Sequence, residues 1–211
     1  MNAEISISLE RAISNSIHFK YLAFRRYFEL LFIALISPLV LIIVLITIIA
    51  IKVNSRGPVL IKQKRFGINH SEFIIYKFRT MVHINGCLHF KSYDAAKITK
   101  VGKFLRKHRI DELPQIMNII KGDMSLFAPR PDYIDEHSLY EREVLNYNKR
   151  LAIKPGITGW AQVYYGHSHD IISAKEKLEY DLFYINNISF KNDLKIFFRT
   201  FLVLCNGFGA R

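Results

Sequence analysis

The sequence predicts an α+β fold in which a small, mostly helical domain with a short β-hairpin follows an N-terminal membrane segment. Three observations favour this fold class. The run from Leu30 to Ile51 is apolar except at Ser37, Pro38 and Thr47. Two stretches rich in β-branched and aromatic residues, "PVLIKQKRFG" and "EFIIYKFRTM", flank the turn "GINHS" between residues 57 and 80. Helical periodicity dominates after residue 99.

The apolar run can form a membrane segment of either of two kinds. As one straight helix it is roughly 33 Å long at about 1.5 Å per residue, which matches a hydrocarbon core. Pro38 cannot donate to the carbonyl of Ala34, so we expect a kink or break there, with Ser37 satisfying the freed carbonyl. Both flanks are basic, and positive charge prefers the cytoplasmic side. The residues therefore allow either a crossing helix or a hairpin that re-enters the same side.

Composition limits the classes of partner. The chain has 211 residues, enough for one domain and an anchor, and a formal net charge of +12. Such an excess of Lys and Arg indicates anionic partners: phospholipid headgroups, phosphorylated substrates or nucleic acid. Cys87 and Cys205 are too few for a disulfide framework and favour a reducing compartment.

After the hairpin, residues 82–97 are expected to form a loop or a short helix. The segment "TKVGKFLRKHRIDELPQIMNIIKGDMS" predicts two helices, the second ending at Gly122. In that second helix the spacing i, i+3, i+4, i+7 predicts an apolar face. Further helices are expected over 134–149, 171–186 and 193–205, the last one packing on the core or lying on a membrane surface. The predicted apolar face consists of Leu113, Ile116, Met117 and Ile120.

Asp111 and Glu112, in "RIDELPQ", are the first candidates for chemistry. A structural role is open to them, because Asp is a favoured helix N-cap and Pro114 suits a first helical turn. A functional role is open as well. A helix N-terminus lowers the pKa of a carboxylate and binds phosphate, so Asp111 could attack phosphorus while Glu112 holds Mg²⁺.

Cationic residues near predicted turns or near the ends of predicted helices and strands are candidates for phosphate contacts. Each one taken alone could equally be a solvated charge on the protein surface. Arg130 is distinctive, because Pro129 and Pro131 stiffen the backbone on both sides of a side chain suited to forked contacts. "HSHD" at 167–170 could bind a metal but fits a polar loop better. No zinc spacing joins His83, His89, His108, His167 and His169. The other cationic candidates are Lys77, Arg79, Arg106, Arg109 and Lys154.

Taken in order, these segments resemble the bacterial sugar transferases known as monotopic phosphoglycosyl transferases. The resemblance covers about residues 25–211 and rests on "SP" in the apolar run, "YKFRTM", "DELPQIMNIIKGDMSLFAPRP", "KPGITGWAQV" and "YDLFYINNISFKNDLKI". It implies a re-entrant membrane helix hairpin bent at Ser37 and Pro38. It also implies three regions: a lead-in over 1–24, the re-entrant membrane helix over 25–56 and a cytoplasmic catalytic domain over 57–211.

The resemblance further implies transfer of a sugar-1-phosphate from a UDP-sugar to undecaprenyl phosphate, with release of UMP, at the cytoplasmic face of a bacterial inner membrane. Asp111 is then the covalent nucleophile, and Glu112, with Asp111, holds Mg²⁺ or alternatively Mn²⁺. The product starts exopolysaccharide, capsule, lipopolysaccharide O-antigen or glycoprotein glycan assembly. Partners are the two substrates and membrane lipid, without nucleic acid, and a homodimer is left open. The phosphate and nucleotide contacts fall to Lys77, Arg79, Arg106, Pro129, Arg130, Pro131 and Lys154.

Two features depart from the family pattern. Many relatives carry Asn-Gly-Arg-Asn after "GITGWAQV", where this chain has "YYGHSH", and Arg109 stands where a small residue is commoner. The first departure leaves the sugar unidentified. The alternative from another class is a non-catalytic, membrane-anchored protein that binds anionic lipid or nucleic acid through its positive charge.

Overall fold

The computed structural model describes the backbone of residues 2–82, 98–166 and 170–206, and the side chains of residues 20–82, 98–166 and 170–203. Apart from Val82, the segment predicted as a loop or short helix over 82–97 lies outside these ranges. The histidines at 167 and 169, within "YYGHSH", and the side chain of Cys205 also lie outside them.

The apolar run belongs to one long helix, α1, which extends from Asn2 to Asn54 and contains Pro38. The hydroxyl of Ser37 donates to the carbonyl of Ala34 at 2.8 Å, so the acceptor that Pro38 leaves unpaired is satisfied locally, as expected from the sequence. The residues predicted as a lead-in continue directly into the apolar run within this helix. Among the described residues, Lys20–Asn54 is the single stretch of helix long and apolar enough to cross a membrane.

Both ends of the apolar part of α1 pack on the same domain, whereas its middle does not. Near the N-terminal end, Ile33 is buried in a cluster with Ile75 of strand β2. Near the C-terminal end, Ile51 is buried in a second cluster with Phe78 of the same strand. Between them, side chains such as Leu35 remain 78% exposed.

The predicted β-hairpin is confirmed. Strands β1 (Leu60–Phe66) and β2 (Glu72–Phe78) pair antiparallel, with Phe66 opposite Glu72 across the "GINHS" turn. A second, smaller sheet pairs β3 (Ser125–Phe127) in parallel with β4 (Gly156–Thr158). A Cβ at Gly156 or Gly159 would collide with the backbone of Ala128, so these glycines of "KPGITG" allow β4 to approach the chain just before Pro129.

Helices supply the rest of the domain. The predicted segment before Ser125 divides into α2, a 3₁₀ helix over Ile110–Gln115, and α3, which ends at Gly122 with φ 89° as expected. A second 3₁₀ helix covers Tyr147–Ala152. The helix predicted over 171–186 is confirmed. The bounds are α2 Lys100–Lys107, α3 Ile116–Lys121, α4 Ile134–Glu143, α5 Trp160–Tyr164, α6 Ile171–Asn186 and α7 Phe190–Asn206.

The predicted apolar face is confirmed only in part: Leu113 and Ile116 pack against core clusters, but Met117 and Ile120 do not face the core. Ile119 is fully buried, whereas Met117 and Ile120 are 52% and 50% exposed. The physical reason is that α3 is short and turns the amide of Asn118 inward, where it donates to the carbonyl of Ile74 and accepts from the N–H of Tyr76. These bonds to β2 fix the rotation of the helix, so Met117 and Ile120 face outward.

Helix α7 packs on the core, as one of the two alternatives predicts, and its other side is apolar and exposed. Ile196 is fully buried in the core beside Tyr184. Phe198 and Phe201 are 59% and 63% exposed. Exposed aromatic side chains of this kind are typical of a surface that contacts another protein or a membrane.

Candidate active site

Asp111 and Glu112 lie inside a 3₁₀ helix rather than at the N-cap of an α-helix. The N-cap of this 3₁₀ helix is Arg109, directly before Ile110. Arg109 has a left-handed conformation, φ 55°, and its side chain makes no capping bond. The N-cap role expected for Asp111 is therefore incorrect. This 3₁₀ helix packs directly against strand β2, which brings the two carboxylates beside Lys77.

Glu112 is held by Arg130 in a forked ion pair. Nη2 and Nη1 of Arg130 donate to Oε1 and Oε2 of Glu112, each at 2.6 Å, and both side chains are mostly buried. Arg109 adds a longer contact of 3.7 Å to the same carboxylate. Burial opposes ionisation of Glu112, but the charges of Arg130 and Lys77 outweigh it and lower the pKa of Glu112 to about 2.

Asp111 has a different environment from its neighbour. No described residue lies within hydrogen-bonding distance of its buried Oδ1. Burial, followed by the negative charge of Glu112, raises the pKa of Asp111 to about 6, although Lys77, Arg130 and Arg106 oppose the rise. The sequence argument predicted a lowered pKa from a helix N-terminus, and that direction is wrong because burial dominates here.

Lys77 and Arg106 complete the charged group around Asp111. Burial and the nearby charge of Arg130 lower the pKa of Lys77 to about 7. Arg106, in the last turn of α2, donates through Nε to the hydroxyl of Thr80 at 2.9 Å, which orients its guanidinium. The cluster of Lys77, Arg106 and Arg130 around two adjacent carboxylates can bind and neutralise an anion such as a phosphate.

Two other cationic candidates point elsewhere. Arg79 is 3% exposed, and its Nη2 donates to the carbonyl of Ser55 at 2.7 Å and to the hydroxyl at 2.9 Å. It thus fastens the chain after α1 to the end of β2. Lys154 is exposed, and its Nζ lies beside Gly122 near Arg26. The contacts of these two side chains therefore do not include Asp111 or Glu112.

The loop with Pro129, Arg130 and Pro131 is positioned by a buried ion network. Nη2 of Arg150 donates to the carbonyl of Arg130 at 2.9 Å, and Nη1 of Arg150 pairs with Asp132. The N–H of Gly156 donates to the carbonyl of Pro129 at 2.9 Å. The backbone on both sides of Arg130 is thus held from the second sheet and from the 3₁₀ helix that carries Arg150.

Sequence reasoning missed the other members of this network. Lys177 and Asp181, one turn apart on α6, pair with Asp132 at 2.9 Å and Arg150 at 2.7 Å respectively. Burial opposes ionisation of Asp132, but Arg150 and Lys177 hold its pKa well below the usual range. Two features of the sequence could have indicated this network: Asp132 directly after "PRP", and the spacing of four residues between Lys177 and Asp181, which places them on one helix face.

A second buried network, also missed, ties α1 to the domain. Arg25 donates to the hydroxyls of Tyr184 and Ser125, each at 2.8 Å, and pairs with Asp193 at 3.2 Å. Glu29, one turn along α1, accepts from the N–H of Leu126 at 3.0 Å. The N-terminal flank of the apolar run is consequently anchored to β3, α6 and α7.

Comparison with known proteins gives the same family that the motifs indicated. The model of the family "Bacterial sugar transferase" matches residues 20–207. The chain is 41% identical over 194 residues to a protein of Aeromonas hydrophila named UDP-N-acetylgalactosamine-undecaprenyl-phosphate N-acetylgalactosaminephosphotransferase, covering 90% of this chain and 46% of that protein. It is 41% identical over 155 residues to the uncharacterized sugar transferase EpsL of Bacillus subtilis (strain 168), covering 74% of each.

A third relative is similar to this chain over most of both lengths. The exopolysaccharide production protein PSS of Rhizobium leguminosarum bv. phaseoli is 35% identical over 187 residues, covering 84% of this chain and 91% of that protein. The chain thus spans less than half of the Aeromonas relative but most of the Rhizobium one. Since the family model covers nearly the whole sequence, the chain belongs to the bacterial sugar transferase family.

Proposed function

We propose that the protein is a phosphoglycosyl transferase that moves a sugar-1-phosphate from a UDP-sugar to undecaprenyl phosphate and releases UMP. The observation that carries the proposal is the carboxylate of Asp111. Its Oδ1 is buried and has no hydrogen-bond partner among the described residues, and Lys77, Arg106 and Arg130 lie around it. Membership of the family and the names of the relatives support this reaction type.

In the first displacement, a carboxylate oxygen of Asp111 attacks the phosphorus that carries the sugar. The bond between that phosphorus and the oxygen bridging to the uridine phosphate breaks, and UMP leaves with the electron pair. Lys77, Arg106 and Arg130 would bind the diphosphate and stabilise the charge that develops on UMP. The product is a phosphosugar bonded to Asp111.

In the second displacement, a phosphate oxygen of undecaprenyl phosphate attacks the same phosphorus. The bond to Asp111 breaks, which restores the carboxylate and gives a lipid diphosphate sugar. One phosphoanhydride bond is consumed and one is formed, so the overall exchange is nearly balanced in free energy. The covalent step predicts ping-pong kinetics.

The donor set at this site fits a hard divalent cation such as Mg²⁺, or Mn²⁺. The unpartnered Oδ1 of Asp111 is an available oxygen ligand. Both oxygens of Glu112 accept from Arg130, yet each retains a lone pair, so Glu112 would share its carboxylate between the ion and the guanidinium. When bound, the ion would neutralise charge on the substrate phosphates.

We further propose that α1 enters and leaves the membrane on one side, the cytoplasmic side. A crossing helix would separate Ile33 from Ile51 by about 27 Å along the membrane normal. The same domain buries both residues, through clusters that include Ile75 and Phe78, three residues apart on β2. A bend at Ser37 and Pro38 accommodates these contacts, whereas a crossing helix would require the domain to lie on both sides.

The apolar side chains left exposed are consistent with a bilayer as the medium around them. They lie on the middle of α1, on α3 and on α7, where a protein surrounded only by water would have an aggregation-prone surface. In the proposed arrangement the active site lies at the interface, where a cytosolic nucleotide sugar and a membrane-held lipid phosphate can meet. Examples are Leu35, Leu39, Met117, Ile120, Phe198 and Phe201, all at least half exposed.

The proposed reaction is tested by measuring UMP release from a panel of UDP-sugars with undecaprenyl phosphate and Mg²⁺. We expect turnover with one donor, and loss of turnover in Asp111→Asn. The matched control is Asp135→Asn, which changes an exposed carboxylate on α4. Mass spectrometry of the enzyme with donor alone should show the mass of a phosphosugar on the peptide containing Asp111.

The non-catalytic alternative makes the opposite prediction. A membrane-anchored binding protein would release no UMP with any sugar, and binding to anionic lipid would be the same in Asp111→Asn as in the unmodified protein. Turnover without a covalent adduct would reject the role of Asp111 while leaving the transferase activity in place. The same panel identifies the donor sugar. For the glycan that the product starts we propose an exopolysaccharide, which the name of the Rhizobium relative supports.

A further inference from the structure

A cluster of three metal-ligating side chains lies outside the proposed active site. It consists of His70 in the turn of the β1–β2 hairpin and of His137 and Glu141 on α4, and the nearest ligand atoms of the three all lie within 4.8 Å of one another. His137 and Glu141 are four residues apart, so they project from the same face of α4. His70, in the hairpin turn, lies against that face of α4.

His137 is the unusual member of this group. Its side chain is 1% exposed, and no described residue provides a hydrogen-bond partner for Nε2. Leaving such a buried polar atom unpaired is unfavourable, because it loses its hydrogen bonds to water without gaining others. The ring of Phe66 packs against both imidazoles, with centroid distances of 5.6 Å to His70 and 5.3 Å to His137, which limits the ways in which His137 can turn toward another partner.

His70 is held toward α4 by an uncommon backbone conformation. It has φ 60°, and Asn69 before it has φ 50°, both in the left-handed region that non-glycine residues seldom occupy. Its Nε2 lies 3.0 Å from Oε1 of Glu141. Strained residues of this kind persist where the surroundings fix them, often at binding sites.

We propose that His70, His137 and Glu141 form a binding site for a transition-metal ion, with Zn²⁺ as the best-suited candidate. Two imidazoles and one carboxylate are a common zinc ligand set, which leaves a fourth tetrahedral position for water. Bonds of about 2.0–2.1 Å require ligand atoms about 3.4 Å apart. His70 and Glu141 are 44% and 35% exposed, so their side chains are free to draw inward by the distance required.

A metal at this site would join the hairpin that carries Lys77 to the helix that follows the loop with Arg130. His70 belongs to the hairpin whose second strand contains Lys77, and α4 begins three residues after Pro131. A metal bridging them would stabilise the hairpin against α4. This inference does not depend on the proposed transferase activity, because its test measures metal binding and thermal stability.

The test uses the full chain in detergent, stripped with a chelator and then kept in excess Mg²⁺ so that the carboxylates at 111 and 112 do not take the added ion. Co²⁺ is titrated as the probe, and its visible ligand-field spectrum is recorded before competition with Zn²⁺. We expect one equivalent to bind with a tetrahedral spectrum, Zn²⁺ to displace it and Zn²⁺ to raise the Tm. His70→Ala and Glu141→Gln should each weaken binding by at least about 100-fold, beyond the effect of losing an outer hydrogen bond.

The matched controls are His108→Ala and Glu143→Gln, which remove an exposed histidine elsewhere and an exposed glutamate on α4. Both should bind Co²⁺ as the unmodified protein does. Because His70 and Glu141 are partly exposed, their variants should fold, which a substitution at the buried His137 does not guarantee. The proposal is overturned if the unmodified protein takes up no stoichiometric Co²⁺ or Zn²⁺, or if either ligand variant binds as tightly as its control.

Discussion

Replacing Arg150 with Lys tests whether the buried network fixes the loop that carries Arg130. Every nitrogen of the Arg150 guanidinium has an acceptor: Nε reaches Asp181 at 2.7 Å, Nη1 reaches Asp132 and the hydroxyl of Tyr147, and Nη2 reaches the carbonyl of Arg130. The side chain is 3% exposed. A lysine keeps the charge but offers a single nitrogen, which cannot serve Asp181, Asp132 and the carbonyl together.

The magnitude follows from the bonds that are lost. At least two hydrogen bonds to charged groups disappear, worth about 1.5–3 kcal/mol each. Breaking a buried ion pair by removing one partner costs about 3–5 kcal/mol, which agrees with that sum. We therefore expect Arg150→Lys to lower the free energy of unfolding by about 3–5 kcal/mol. For a chain of this size this lowers the Tm by roughly 6–20 °C.

Thermal unfolding can be followed by the fluorescence of Trp160, the single tryptophan. Its indole stacks on Tyr164 with a centroid distance of 4.3 Å and contacts Phe183 at 5.1 Å, so its emission reports on the packing of α5 and α6. The control is Arg142→Lys, an exposed change on α4 that should shift stability by no more than about 0.5 kcal/mol. If Arg150→Lys melts within about 2 °C of that control, the network does not hold the loop as argued.

Three further predictions concern the site, the pH dependence and the membrane segment. Arg130→Lys removes one arm of the fork on Glu112, so turnover measured as UMP release should fall by about 10–100-fold while the Tm changes little in comparison. Asp132 has a depressed pKa in the folded state, so its stabilisation is complete above the unfolded pKa of about 3.9 and is lost as the pH falls below that value. The Tm should therefore drop on acidification below about pH 4, and Asp132→Asn should show a smaller drop. Cysteines placed at Lys20 and at Arg56, in a background without native cysteines, should both be shielded from an impermeant external reagent and should both react after permeabilisation.

Each of these has an outcome that contradicts it. Equal turnover in Arg130→Lys and Arg142→Lys would mean that the fork on Glu112 is unimportant for catalysis. An unchanged acid dependence in Asp132→Asn would assign the pH effect to other carboxylates. External labelling at only one of positions 20 and 56 would establish a crossing helix. A cysteine at Ser37 serves as the membrane-embedded reference, and it should remain unreactive in both conditions.

Local patterns in the sequence predicted the elements whose geometry is set locally. The "GINHS" turn between two β-rich stretches predicted the hairpin, and Gly122 predicted the end of α3, where φ is positive. Ser37 was expected to satisfy the carbonyl freed by Pro38, and it does. In each case the physical cause lies within a few residues of the feature.

Predictions failed where contacts from distant parts of the chain decide the outcome. Met117 and Ile120 were wrongly assigned to the core face because Asn118 bonds to β2, more than forty residues earlier. The direction of the pKa shift of Asp111 was wrong because burial by surrounding elements exceeds the effect of a helix end. The cluster of His70 with His137 was missed for the same reason, since no short motif joins a hairpin turn to a helix so far along the chain.

The arrangement of α1 and β2 links membrane insertion to the geometry of the active site. Lys77 lies on β2 between Ile75, whose cluster contains Ile33, and Phe78, whose cluster contains Ile51. The two ends of the apolar part of α1 thus pack on either side of the strand position that lies beside Asp111 and Glu112. Because cores are close-packed and transmit displacement, a change in the bend of α1 should move β2, and with it the amine of Lys77 relative to Asp111. We therefore expect the helix to position the proposed site as well as to anchor the domain, so that changes to α1 should lower turnover even with a water-soluble donor.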